Sequence, residues 1–83
     1  MTILRVVKRR GPPAPPAAKA LAQRIRHLRS KKGWSQERLA EEANIHRVYL
    51  AGIERGRRNP SLRNLESLAV ALGISLAKLF ESD

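Results

Sequence analysis

From Ala18 onward the apolar residues recur at spacings of three and four, and the successive runs end at a glycine or an asparagine. That pattern suits a series of short α-helices and gives no strand signal, since strand residues face one side at spacings of two. Leu21, Ile25 and Leu28 mark the inner face of a first helix, bordered by Arg24, Arg26, Arg29, Lys31 and Lys32. Cations in its last turn suit the negative end of the helix dipole, and Gly33 is placed to end it. Ser35 is a good N-cap for a second helix, with Glu37 in its first turn and Leu39, Ala40 and Ala43 facing inward. Asn44 follows, a residue that accepts the left-handed backbone of a tight turn. A third helix runs from about His46 to Arg55, with Leu50 and Ile53 inward, and Gly56 stops it. After the polar loop Arg57-Arg58-Asn59-Pro60, Ser61 caps a fourth helix whose inner face is Leu62, Leu65, Leu68, Ala69 and Leu72. Gly73 closes it, and Ser75 caps a last short helix from Leu76 to Phe80. The expected fold is all-α, with five helices in one domain over 18–83.

The pattern fails before Ala18. Prolines at 12, 13, 15 and 16 remove backbone donors and fix φ, so residues 1–17 read as a flexible arm with a polyproline spacer. The arm carries Arg5, Lys8, Arg9 and Arg10 and no acid. Charge matters here because the chain of 83 residues has 17 Lys and Arg against 7 Asp and Glu, a net +10. A small domain this basic calls for a polyanionic partner: nucleic acid, an anionic membrane or an acidic protein. Residues 24–32 hold Arg24, Arg26, Arg29, Lys31 and Lys32 with no acid, and residues 47–63 hold Arg47, Arg55, Arg57, Arg58 and Arg63 against Glu54. The charge therefore gathers on helix one, helix three and the loop after it.

Other classes are weakened by what is missing. Cysteine is absent, which excludes disulfides and thiolate metal sites, and two histidines do not make a metal centre. No cofactor and no metal is expected. No apolar run approaches the ~20 residues of a membrane span, and the order of charge at the start is the reverse of a secretory signal. A cytoplasmic, nucleoid-associated protein is expected, with no membrane partner. No nucleophile–base pair and no glycine-rich phosphate loop appears, so an enzyme is not expected. No effector domain is expected after Asp83, and no small-molecule ligand is expected.

The unit at 36–55 has the spacing of two helices joined by a short turn. Such helices cross closely, and Ala40 is small enough for the crossing. Asn44 makes the bend, and Ile45, Leu50 and Ile53 anchor the second helix at a fixed angle. The segment SQERLAEEANIHRVYLAGIERGRRNPSLRNLESLAVALGISLAKLF, residues 35–80, resembles the Cro and phage-repressor type of helix-turn-helix, the xenobiotic-response-element group. The markers are Ser-Gln at helix two, Ile-Glu-Arg-Gly at the end of helix three, Asn-Pro-Ser at helix four and Leu-Gly-Ile-Ser before helix five. With helix one the resemblance covers 18–81. RVYLAGIERGRRNPSL is also similar to controller proteins of restriction-modification systems, which are small dimeric regulators.

The resemblance implies a lambda-repressor-like DNA-binding domain whose third helix enters the major groove. Arg47 is the expected principal reader, able to bond guanine O6 and N7 together, and Val48 faces thymine methyl groups. Ala51 and Gly52 fall on the groove side one turn later. A glycine inside a helix costs roughly 0.5–1 kcal/mol against alanine, so Gly52 serves either tight packing or close approach to DNA. Ser35 and Gln36 are expected to meet phosphate, Gln36 also bracing helix three. Tyr49 either bonds the DNA backbone or packs half-buried. Arg57, Arg58 and Asn59 fill the loop that meets the backbone in the family, and Arg58 is also suited to a narrow minor groove. His46 stands where Ser or Asp is usual; imidazole is expected to cap poorly and to turn to phosphate instead. Arg29 and Glu54 are expected to pair. Helices four and five are expected to form the homodimer contact, with Leu76, Leu79 and Phe80 as anchors, the alternative being that these complete the monomer core.

Together these imply a transcription regulator that binds a palindromic double-stranded operator as a homodimer, with RNA polymerase as a further candidate partner. The alternative is an antitoxin that grips a toxin and represses its own operon.

Overall fold

The computed structural model of the chain describes residues 16–81. Five helices follow in order: α1 (Pro16–Lys31), α2 (Gln36–Ala43), α3 (Arg47–Glu54), α4 (Leu62–Leu72) and α5 (Leu76–Leu79). No strand occurs among the described residues. Helix α1 opens at Pro16, two residues before the expected start at Ala18. Proline is at home there, because the first turn of a helix has no use for its N–H and φ is already helical. The rest of the expected arm, 1–15, lies outside the described residues.

The chain is punctuated by matched caps. Ser35, Ser61 and Ser75 each accept from the N–H three residues on, at 3.0, 3.1 and 3.1 Å. Helices α1 to α4 end alike: an N–H two or three residues beyond the helix end reaches back five residues, as in Trp34 to Arg29, Ile45 to Ala40, Arg57 to Gly52 and Ile74 to Ala69. This is the Schellman arrangement, which satisfies carbonyls left over at a helix end. It needs a left-handed residue at the joint. Asn44 supplies it with φ 57, and Gly56 with φ 73. Ser61→Ala should therefore cost about 1 kcal/mol of stability, the usual worth of an N-cap. Chemical denaturation of the two proteins checks this.

The caps hold the helices at angles that bury one apolar cluster. Ile25, Leu39, Leu50, Ile53, Leu68 and Leu79 are almost wholly inaccessible. Each contributes roughly 1.5–3 kcal/mol by leaving water. Helix α2 packs on α3 and α4, and α1 packs on α3 and α5. Arg24 fastens α1 to the last helix by donating to the Lys78 carbonyl at 3.0 Å.

Two assignments of the apolar residues differ from expectation. Leu62 is 63% exposed and does not belong to the inner face of α4. It is the first helical residue after the Ser61 cap, ahead of the turns that touch the core. Leu79 is fully buried and completes the monomer core, so it is not free to form a dimer contact. Leu76 is half-buried against the same core, and Phe80, the residue after α5, points outward at 57% exposure.

Candidate nucleic-acid interface

Helix α3 is held by one buried carboxylate. Glu54, at its last position, is 2% exposed. Arg29 of α1 grips it with both arms of its fork, Nε to Oε2 at 2.8 Å and Nη2 to Oε1 at 2.9 Å. Gln36 of α2 donates its amide to the same Oε1 at 2.9 Å. Arg26 donates to the Glu54 carbonyl, and Arg29 also reaches the Trp34 carbonyl at 2.9 Å. A charge taken out of water needs such partners, and a bidentate guanidinium fixes direction as well as charge. The result ties α1, α2 and the end of α3 into one joint. The Arg29–Glu54 pairing and the bracing action of Gln36 are thus both present in the structure.

With its end locked and Leu50 and Ile53 buried, α3 presents a fixed outer edge. Arg47 and Val48 are exposed there, and Ala51 is half-buried. Arg47 and Val48 lie four and three residues before Ala51, about one helical turn away. Arg57, Arg58 and Asn59 extend from the loop beyond and are exposed. Ser35 is exposed and Gln36 half-buried at the start of α2. Tyr49 packs half-buried against the core.

His46 behaves differently from expectation, and Gly52 follows the packing one of its two readings. His46 does cap α3: its Nδ1 accepts from the Val48 N–H at 3.1 Å. A neutral imidazole has one acceptor nitrogen, and the extended backbone at His46 turns it back over the first turn. Its other nitrogen, Nε2, then carries the proton and remains a donor. Gly52 is buried, with the Arg58 side chain lying over it. It packs within the protein and does not form an open face for approach to DNA.

One contributor to the joint was not singled out from sequence. Arg26 shares the Glu54 joint with Arg29; its place three residues earlier on the same helix was the available signal. Trp34 is half-buried against the core, with Lys32 4.9 Å and Arg38 4.8 Å from its ring centroid. Arg38 also pairs with Glu42 across one turn at 2.9 Å, both ends exposed.

The helix-turn-helix geometry has a family counterpart. A helix-turn-helix family model matches residues 25–79. The chain belongs to that family. Its relatives include control protein C.BamHI of Bacillus amyloliquefaciens, 47% identical over 60 residues that make up 71% of this chain and 74% of that protein. The immunity repressor protein of Bacillus phage phi105 is 49% identical over 59 residues, 71% of this chain but 41% of the repressor. Among solved structures, the restriction-modification controller protein C.AhdI from Aeromonas hydrophila is 47% identical with a TM-score of 0.73, over 75% of this chain and 94% of its own. The resemblance to the Cro and phage-repressor type, and to restriction-modification controllers within it, is therefore correct, as is the five-helix fold. The relatives are regulators, and the antitoxin alternative gains no support from them. Among the described residues no helix is long and apolar enough to cross a membrane.

Proposed function

We propose that this chain binds double-stranded DNA sequence-specifically as a transcription regulator of the controller type, two copies meeting a palindromic operator. The observation that carries the reading is the exposed Arg47–Val48 edge on a helix locked by the buried Glu54 joint. Arg47 and Val48 read base edges, with Ala51 beside them. Ser35, Gln36, His46, Tyr49, Arg57 and Asn59 meet the sugar-phosphate backbone. The free Nε2–H of His46 and the hydroxyl proton of Ser35 are donors that remain after capping. A dimer places two copies of α3 about 34 Å apart, one turn of the duplex. Phe80 and Leu76 at the α5 end are the residues proposed for the contact between copies. The protein acts at the nucleoid and has no enzymatic task; RNA polymerase is a proposed further partner, and a restriction-modification operon the proposed target.

Salt titration of binding to a duplex from upstream of the gene tests the reading. Each neutralised phosphate contributes about −0.9 to the slope of log K against log salt. A steep negative slope is expected, and a flat one contradicts DNA binding. Arg57→Ala should weaken binding to all sequences about equally and shallow that slope by about 1 per copy, which the same titration measures.

A further inference from the structure

Gly52 lies inside α3, where a glycine weakens a helix relative to alanine. Its backbone does not require it, for the positive-φ glycines are Gly33, Gly56 and Gly73. What requires it is Arg58. A β-carbon at position 52 would lie 2.5 Å from Arg58 Cγ, far inside contact distance. The obstructing atom is the second carbon of the side-chain stem, so moving it swings the whole guanidinium. The Gly52 carbonyl also accepts the Arg57 N–H at 2.9 Å, fixing the backbone one residue before Arg58. Beyond the stem, the Arg58 guanidinium carbon stands 6.0 Å from the Tyr49 ring centroid, within reach of a cation–π contact. Tyr49 and Gly52 are three apart and share one strip of α3.

We infer that Gly52 is a positioning residue for Arg58. The hollow left by its missing side chain lays the Arg58 stem along the recognition helix, and Tyr49 holds the guanidinium there. Arg58 then belongs to the sequence-reading surface of α3, unlike Arg57, which extends from the loop as a tether to phosphate. This rests on the proposed DNA binding. It assigns Gly52 a role in specificity without any contact of its own.

The test compares two duplexes: one enriched from a random pool by the wild-type chain, and one of the same composition in scrambled order. Affinities are measured for the wild type, Gly52→Ala, Arg58→Ala and the double variant. Gly52→Ala should lose about tenfold on the enriched duplex, a typical value for one misplaced base contact. It should keep its affinity for the scrambled duplex, since no charge is removed. The double variant should prefer the enriched duplex no less than Arg58→Ala does, because both changes remove one element. A wild-type preference in Gly52→Ala, or losses that add in the double variant, overturns the inference. Thermal melting supplies a second readout independent of DNA. In the Arg58→Ala background the alanine meets no stem, so Gly52→Ala should raise the melting temperature through its better helix propensity. With Arg58 present the gain should vanish or reverse. A Gly52→Ala chain that fails to fold alone but folds with Arg58→Ala supports the seat. An equal effect in both backgrounds contradicts it. If the wild type enriches no sequence, the DNA reading fails, and melting still decides whether Gly52 seats Arg58.

Discussion

Arg47→Ala should remove most of the chain's preference among DNA sequences and leave its fold intact. Arg47 is exposed at the first position of α3, so its truncation opens no cavity in the core. The capping bond from His46 goes to the Val48 N–H and survives the change. What is lost is a planar fork that can bond two acceptors of one guanine at once, worth about 1–3 kcal/mol, or about 5- to 150-fold. Two copies on a palindrome lose it twice, and the factors multiply. The affinity ratio between an enriched and a scrambled duplex measures this. An unchanged ratio refutes the role of Arg47. A fall on both duplexes alike makes it a phosphate tether.

The largest effect on stability is expected from Glu54→Ala. The Glu54 side chain is 1% exposed and its partner Arg29 19%. Removing the carboxylate leaves Arg29 charged with two of its three hydrogen bonds unmade, and strands the Gln36 amide beside it. Breaking a buried pair in this way costs about 3–5 kcal/mol, because the surviving charge stays desolvated. A domain of this size has a total stability on the order of 5–15 kcal/mol. The melting temperature should fall by roughly 12–40 °C at about 4–8 °C per kcal/mol. The exposed Arg38–Glu42 pair provides the contrast. With 52% and 43% exposure of the two side chains, its removal by Glu42→Ala should cost no more than about 0.3–0.5 kcal/mol. Equal effects at the two sites, read by thermal melting, would show that the Glu54 joint does not hold α3.

Much of this arrangement was legible in the sequence because it is local. The serine caps, the Asn44 turn and the glycine stops depend on residues within five positions of one another. The three- and four-residue spacing then places Ile25, Leu39, Leu50, Ile53 and Leu68 inside without knowledge of the partner helix. The features that were not legible depend on how helices meet. Leu79 and Phe80 are adjacent, and only the packing of α5 decides that one is core and the other exposed. Leu62 obeys the spacing of α4 but precedes its contact with the core. The two readings of Gly52 could not be separated until Arg58 was seen to fold back over it. His46 looked unsuited to capping by residue type, yet the rotation of its ring brings Nδ1 to the Val48 N–H. Of the joint, Arg29, Glu54 and the bracing Gln36 were expected from the family resemblance. The Arg26 bond to the Glu54 carbonyl was not, because it depends on how α1 meets the end of α3.

The central claim is that α3 reads base sequence from a dimer. Enrichment of duplexes from a random pool by the purified chain, followed by sequencing, tests it most directly. The expected result is a palindromic motif with half-sites about one helical turn apart, bound about 10³-fold or more tightly than scrambled DNA. A pool that stays unenriched while binding remains strong would contradict it, and would leave the chain as a sequence-blind cation.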